Sequence, residues 1–182
     1  MHNCIHITCT DDSFGGDSNG DSDLTKPLPG DNRGVQCREG DGLSVFKYCK
    51  FLYGGSGGAG CIYLGQPMNK TNEQILVNCE MAYSLGPGVS VRSGKVGLEG
   101  CYIHDCESDS SGWAAMIERD ADVTFVNTTI ENCTNLFHID PESKLTTFGT
   151  KTSNIGGSVL KGGLCRNPHS QRKIESRPGL GC

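Results

Sequence analysis

No stretch of this chain approaches the ~18 consecutive apolar residues of a membrane-spanning helix, which excludes a helical span. Cys-x2-Cys pairs are missing too, and without them a zinc ribbon or finger has no ligand set despite eleven cysteines. Aromatic residues are scarce at 7%, which argues against a wide core packed with rings. Also lacking are a Gly-rich phosphate loop, a Ser-His-Asp order and a basic stripe interleaved with aromatics. Nucleotide and nucleic-acid binding therefore have no support. The start, Met1-His-Asn-Cys-Ile5, has neither the charged beginning nor the apolar run of a signal peptide. The expectation is a mature fragment or an internal piece of a longer protein.

What is present points one way. Gly 26 is about twice the usual ~7% share, so the chain turns often and packs small side chains. The cysteines, with the sequons Asn69-Lys-Thr, Asn127-Thr-Thr and Asn132-Cys-Thr, fit an oxidising secretory history. The expected location is extracellular or at the cell surface. An odd cysteine count leaves at least one thiol free or linked to another chain.

The main signal is a repeat. VGLEGCYIHDC (Val96 to Cys106) and VTFVNTTIENC (Val123 to Cys133) superimpose without a gap, about 27 residues apart. Related phrases surround Phe46 and Leu76, with a weaker one at Thr147. Apolar and polar residues alternate with period two, so these are strands, and the phase slips just after Cys101 and Thr128 as a tight bend requires. A second alternation follows each phrase, at Cys61–Leu64, Val89–Val91, Ala115–Ile117, Phe137–Ile139 and Ser158–Leu160. About three short strands per repeat predict an all-β chain, a right-handed parallel β-helix (solenoid) of about five to six coils. One coil cannot bury its apolar side alone, so stacking makes the core.

Residues 1–42 then read as a partial first coil and an acidic Gly/Asp/Pro loop, 43–160 as the coils, and 161–182 as a basic cap or tail. Three inward columns are expected: Phe46/Leu76/Leu98/Phe125, Phe51/Met81/Ile103/Ile130 and Val91/Ile117/Ile139. Cys49, Cys79 and Cys101 share a fourth column with Thr128 and Thr150. Cys9, Cys106 and Cys133 share a fifth with Ile155. Column neighbours stand about one strand spacing apart, within disulfide reach, although packed free thiols fit equally well. Cys106–Cys133, Cys79–Cys101 and Cys165–Cys182 are the candidate bridges.

These phrases resemble the right-handed parallel β-helix repeat proteins, which include extracellular surface proteins and polysaccharide-acting enzymes. Gly57-Gly-Ala-Gly-Cys-Ile62 is similar to the GGAI motif of polymorphic outer-membrane-type repeats, with an insertion. The companion FxxN motif is not matched, since Phe125-Val-Asn127 is one residue short. Of the Asn-Thr-Asp, Asp-Asp and Gly-His-Gly motifs of pectin hydrolases, only Asp11-Asp12 occurs, and in a loop. The resemblance spans residues 43–160 and concerns fold more than activity.

Candidate chemistry sits outside the columns. Arg92, Glu118 and Asp140 each follow an inward residue, with His138 two residues before Asp140 on the same face. Such a group is read either as a surface charge ladder or as an acid/base site for an acidic polysaccharide. Asp17, Asn19, Asp21 and Asp23 alternate like the opening of a calcium loop, though Ser22 and Leu28 stand where an EF-hand needs Gly and Glu. His104, Asp105, Glu131 and Asn132 read as solvated surface. Residues 1–33 carry six Asp against Lys26 and Arg33, whereas 161–182 carry five Lys/Arg against Glu175. Such opposed ends suit head-to-tail self-association. The functional expectation is an extracellular structural or adhesion protein that forms filaments, with calcium as its one candidate cofactor. The alternative is a lyase or glycoside hydrolase working on an extended carbohydrate ligand.

Overall fold

A computed structural model describes residues 4–8, 10–14, 16–17, 19–22, 24–37, 43–65, 73–107 and 112–166, the last few by backbone alone. Every strand pairing in it is parallel. The strands are β1 (Ile5–His6), β2 (Val35–Cys37), β3 (Leu43–Lys47), β4 (Lys50–Leu52), β5 (Ile62–Leu64), β6 (Glu73–Val77), β7 (Glu80–Ala82) and β8 (Val89–Val91). They continue with β9 (Lys95–Glu99), β10 (Tyr102–His104), β11 (Trp113–Ile117), β12 (Asp122–Val126), β13 (Thr129–Cys133), β14 (Asn135–Phe148), β15 (Lys151–Ile155) and β16 (Leu160–Arg166).

Three faces result. The first stacks β1-β4-β7-β10-β13-β15, the second β2-β5-β8-β11 and the start of β14, the third β3-β6-β9-β12 and the end of β14. The 14-residue β14 runs through the corner that separates the second and third faces elsewhere, so these two form one sheet. The curled parallel sheets are the β-helix the repeat predicts.

The inward columns are those read from the alternation. Phe46 pairs with Leu76, Leu76 with Leu98, and Leu98 with Phe125. Phe51, Met81, Ile103 and Ile130 form the second column, and Val91, Ile117 and Ile139 the third. Apart from Phe46 at the edge, all of these are buried. Each contributes roughly 1.5–3 kcal/mol of transfer free energy. One register differs from expectation. Leu160 lies opposite Phe137, not Ile139, and Gly162 takes the place opposite Ile139. Only a glycine fits there, because its φ is 94° and a Cβ would run into the Ile139 carbonyl. The strand also runs on past residue 160 to Arg166.

The phase slips have a backbone cause. Between the third and first faces, Tyr48, Asn78, Gly100, Asn127 and Gly149 all have positive φ, from 49° to 60°. One left-handed residue turns the strand direction and flips the following side chain, which moves the alternation by one. Asparagine and glycine take most of these places, since they tolerate that region best. They alternate as well. A Cβ on Gly100 would collide with Asn78 Oδ1, and one on Gly149 with Asn127 Oδ1. After the first face the same device recurs at Tyr53, Tyr83, Asp105, Asn132 and Asn154.

Candidate functional site

The predicted charge face exists, but its members are committed to one another. Arg92, Glu118 and Asp140 directly follow the paired Val91, Ile117 and Ile139. Arg92 Nε stands 2.8 Å from Glu118 Oε2, and its guanidinium lies over the Tyr63 ring at 5.6 Å. Asp140 turns elsewhere: Oδ2 accepts the Arg119 N–H at 3.3 Å, and Oδ1 lies 3.6 Å from His138 Nε2. The His138 ring packs edge-on against Trp113. Each carboxylate therefore has its own cationic or N–H partner. Arg92 and Glu118 form an ion pair between adjacent coils, and Asp140 is held within its own neighbourhood by Arg119 N–H and His138.

The patch read as solvated surface is instead a packed polar network. His104 is buried, with Nδ1 2.6 Å from Asp105 Oδ2 and Nε2 3.3 Å from Glu80 Oε1. Glu80 is also held by Lys50 Nζ at 2.6 Å. Burial works against its charge, but Lys50 and His104 outweigh it and lower the pKa. The Tyr102 hydroxyl donates to Glu131 Oε1, and this bond with its charge pushes the phenol up to about 12. Rings bind successive coils together: Tyr53 stacks on Tyr83 at 5.1 Å, Tyr83 meets His104 edge-on, and His104 stacks on Tyr102 at 4.1 Å. The alternation shows that His104 points outward on the same side as Tyr102. It could not show that Tyr83 from the preceding coil would pack edge-on against it.

The acidic loop brings Asp12, Asp17 and Asp21 together, with one ligand oxygen of each within 4.8 Å of the others. Asp12 was no part of the predicted set, and Asp23 lies outside the described residues. Much of the local capacity is used by the loop itself. Asp17 accepts the N–H groups of Asp21 and Ser22. Asp21 accepts from Leu24, Thr25 and the Asn19 amide, and the Thr25 bond leads in lowering its pKa.

Among the sequons, Asn127 is exposed, Asn132 is half-buried and accepts from Asn154, and Asn69 lies outside the described residues. The bridge present joins Cys4 and Cys49. Cys79, Cys101, Cys106 and Cys133 are buried thiols. Cys9, the Cys165 side chain and Cys182 lie outside the described residues.

One concavity stands out on the third face. It has a volume of about 370 Å³ and centres on Gly97, in the middle of β9. Gly97 pairs with Ile75 on one side and Thr124 on the other. Nothing lies within 4 Å of where its Cβ would be, so the missing side chain is the hollow. Glu73, Lys95 and Asp122 form one wall, in register across three coils, and Glu99 and Val126 form the other. Asp122 lies 3.9 Å from Lys144. Among the described residues, the side chains of Glu73, Lys95 and Glu99 make no ion pair or hydrogen bond and are exposed. Period-two alternation hid this site, because a glycine between polar residues reads as ordinary outward surface.

In comparisons with known proteins, the family model for the right-handed beta helix region matches residues 33–162. No curated protein matches the chain, and neither does any solved structure.

Proposed function

The chain belongs to the right-handed β-helix family, and from that premise we propose that it is an extracellular recognition protein binding an extended glycan across Gly97. The observation that carries this reading is the groove itself. A bare β-branched and glycine floor, Ile75-Gly97-Thr124, is flanked by unpaired hydrogen-bonding side chains at Glu73, Lys95 and Glu99. A concave apolar floor with few convergent polar groups is the usual make-up of a small-ligand site, and ~300–1,000 Å³ the usual size. Successive coils repeat the pattern every ~4.8 Å, close to one pyranose unit of an extended chain. Three carboxylates against Lys95 favour neutral or amino-bearing glycans over polyanionic ones.

Recognition is favoured over hydrolysis because Glu118 and Asp140, the carboxylates of the enzymatic alternative, are each committed to separate partners. Head-to-tail association belongs to the same reading. Among the described residues β3 pairs only with β6, and its Leu43 and Val45 are exposed. The test is a glycan array probed with the parent chain, Gly97→Leu, Lys95→Ala and Glu99→Ala. Neutral or amino-bearing oligosaccharides should bind the parent, with at least tenfold weaker binding to Gly97→Leu at an unfolding midpoint no lower than the parent's. Equal binding by all four chains refutes the groove. Release of shortened oligosaccharides points to the enzyme instead.

A further inference from the structure

Four cysteines stand in one column along the helix axis. Consecutive backbone bonds establish the stack, from Lys50 N–H to the Cys4 carbonyl, Glu80 to Cys49, Tyr102 to Cys79 and Thr129 to Cys101. Cys4 and Cys49 are bridged, with Cα atoms 4.5 Å apart, while Cys79 and Cys101 carry thiols. Parallel stacking repeats the same geometry every ~4.8 Å, so each successive pair falls within the ~4.4–6.8 Å span a disulfide accepts. The free thiols also lean the right way. Cys79 Sγ donates to the Phe46 carbonyl in the preceding coil at 3.6 Å, and Cys101 Sγ donates to the Leu76 carbonyl at 3.4 Å.

Exchange proceeds by attack of a thiolate on a disulfide sulfur, in line with the departing sulfur. The axial column places Cys79 on the far side of Cys49 from Cys4, so attack from the Cys79 rung opposes the departing Cys4 sulfur. We infer that the Cys4–Cys49 disulfide is mobile and migrates rung by rung along Cys4, Cys49, Cys79 and Cys101. In the first step Cys79 Sγ attacks Cys49 Sγ. The Cys49–Cys79 bond forms, the Cys4–Cys49 bond breaks, and the electron pair leaves on Cys4 Sγ, which takes up the proton Cys79 lost. In the second step Cys101 attacks Cys79 in the same way and Cys49 leaves as a thiol. Both steps conserve one disulfide and the total of thiols, so no oxidant or reductant enters. Contact between the two sulfurs lowers the pKa of Cys79 and raises that of Cys101, so Cys79 is the readier nucleophile and the first step the easier one.

Burial makes the relay internal. Cys49, Cys79 and Cys101 are at most 3% exposed, whereas Cys4 is exposed. A small external thiol reaches only the outer rung, and migration inward converts Cys4 into a surface thiol. Past Cys101 the column continues as Thr128 and Thr150, which end the track.

The test uses the folded full chain carrying one bridge, Cys4–Cys49, held at pH 8 without reductant under nitrogen. Samples are alkylated over time with a maleimide and mapped by peptide mass. Cys4 should become alkylated under native conditions while Cys49–Cys79 and Cys79–Cys101 peptides accumulate and the total thiol count stays constant. Cys79→Thr, the residue type this column itself uses, should hold the bridge at Cys4–Cys49 and abolish Cys4 labelling. Cys101→Thr should stop it at Cys49–Cys79, which keeps the test decisive if the first variant folds poorly. The inference is overturned if Cys4 is never labelled or if Cys79→Thr is labelled equally. Bridges to Cys61, Cys106 or Cys133 arising in similar amounts would overturn it as well.

Discussion

Two glycines make opposite predictions for the same substitution. Gly88 precedes β8 and faces the core. A Cβ placed there would lie 2.6 Å from Ile103 Cγ2 and 3.0 Å from both Cys106 Sγ and the Ala114 carbonyl oxygen. Carbon atoms pack best at ~3.5–4.0 Å, so the methyl overlaps its neighbour by about 1 Å. Ile103 has no room to retreat. It is fully buried between Met81 and Ile130 in its column, and Ala114 belongs to β11. Overpacking of this kind costs roughly 1–3 kcal/mol. In a domain of this size Gly88→Ala should lower Tm by roughly 2–4 °C per kcal/mol. Gly97→Ala adds the same methyl into open space in a strand of ordinary φ. It should stabilise by roughly 0.4–1 kcal/mol, because the unfolded chain loses freedom. Urea unfolding followed by far-UV circular dichroism measures both midpoints. If Gly88→Ala is neutral, or if both variants shift the same way, the packing assigned to the core end of β8 is wrong.

Three further outcomes are expected. Glu80 has a lowered folded pKa, so its contribution is present above pH about 4.5 and fades as pH falls through the folded value. Glu80→Gln should therefore be less stable than the parent at pH 7, by about 1 kcal/mol or less, with the difference shrinking as pH falls through the folded value in urea titrations. Ultraviolet titration should show one tyrosine ionising near 12, lost in Tyr102→Phe and moved down toward the others in Glu131→Gln. A double-mutant cycle on Arg92→Ala and Glu118→Ala should give a coupling of roughly 0.2–1 kcal/mol, and a value well above that would reopen the charge face as a strained site.

Much of the scaffold is legible because its period-two alternation is imposed by burial. Leu76, Leu98 and Phe125 each had to point inward, and aligning the repeated phrases placed them in register although the spacing between copies varies. The last coil was harder. Gly156 and Gly157 lengthen the path before β16, and polar Thr147 and Thr152 take places held by Phe125 and Ile130 one coil earlier, so the apolar marks faded. Features formed by contact between coils were not legible at all. His104 is covered in part by Tyr83 of the preceding coil, packed edge-on against it, and alternation along one strand says nothing about that. The groove escaped for a related reason. Gly97 is a hollow only because Ile75, Thr124, Lys95 and Glu99 surround it, the first two in register with it on the adjacent strands and the other two at either end of its own. Cys4 was recognised as part of a repeat tail, but its bridge to Cys49 depends on β1 closing against β4.

The alternation at the corner between the third and first faces, Asn78-Gly100-Asn127-Gly149, limits how this protein can grow. Each asparagine side chain occupies the space that the following coil leaves empty by using glycine there. Duplicating one coil would set asparagine over asparagine, an arrangement the Asn154–Asn132 hydrogen bond holds at the other corner, or glycine over glycine, which leaves the space empty. Duplicating two adjacent coils preserves the interlock throughout. A coil pair is the length increment for lengthening or shortening the rod by engineering that leaves this corner as it stands.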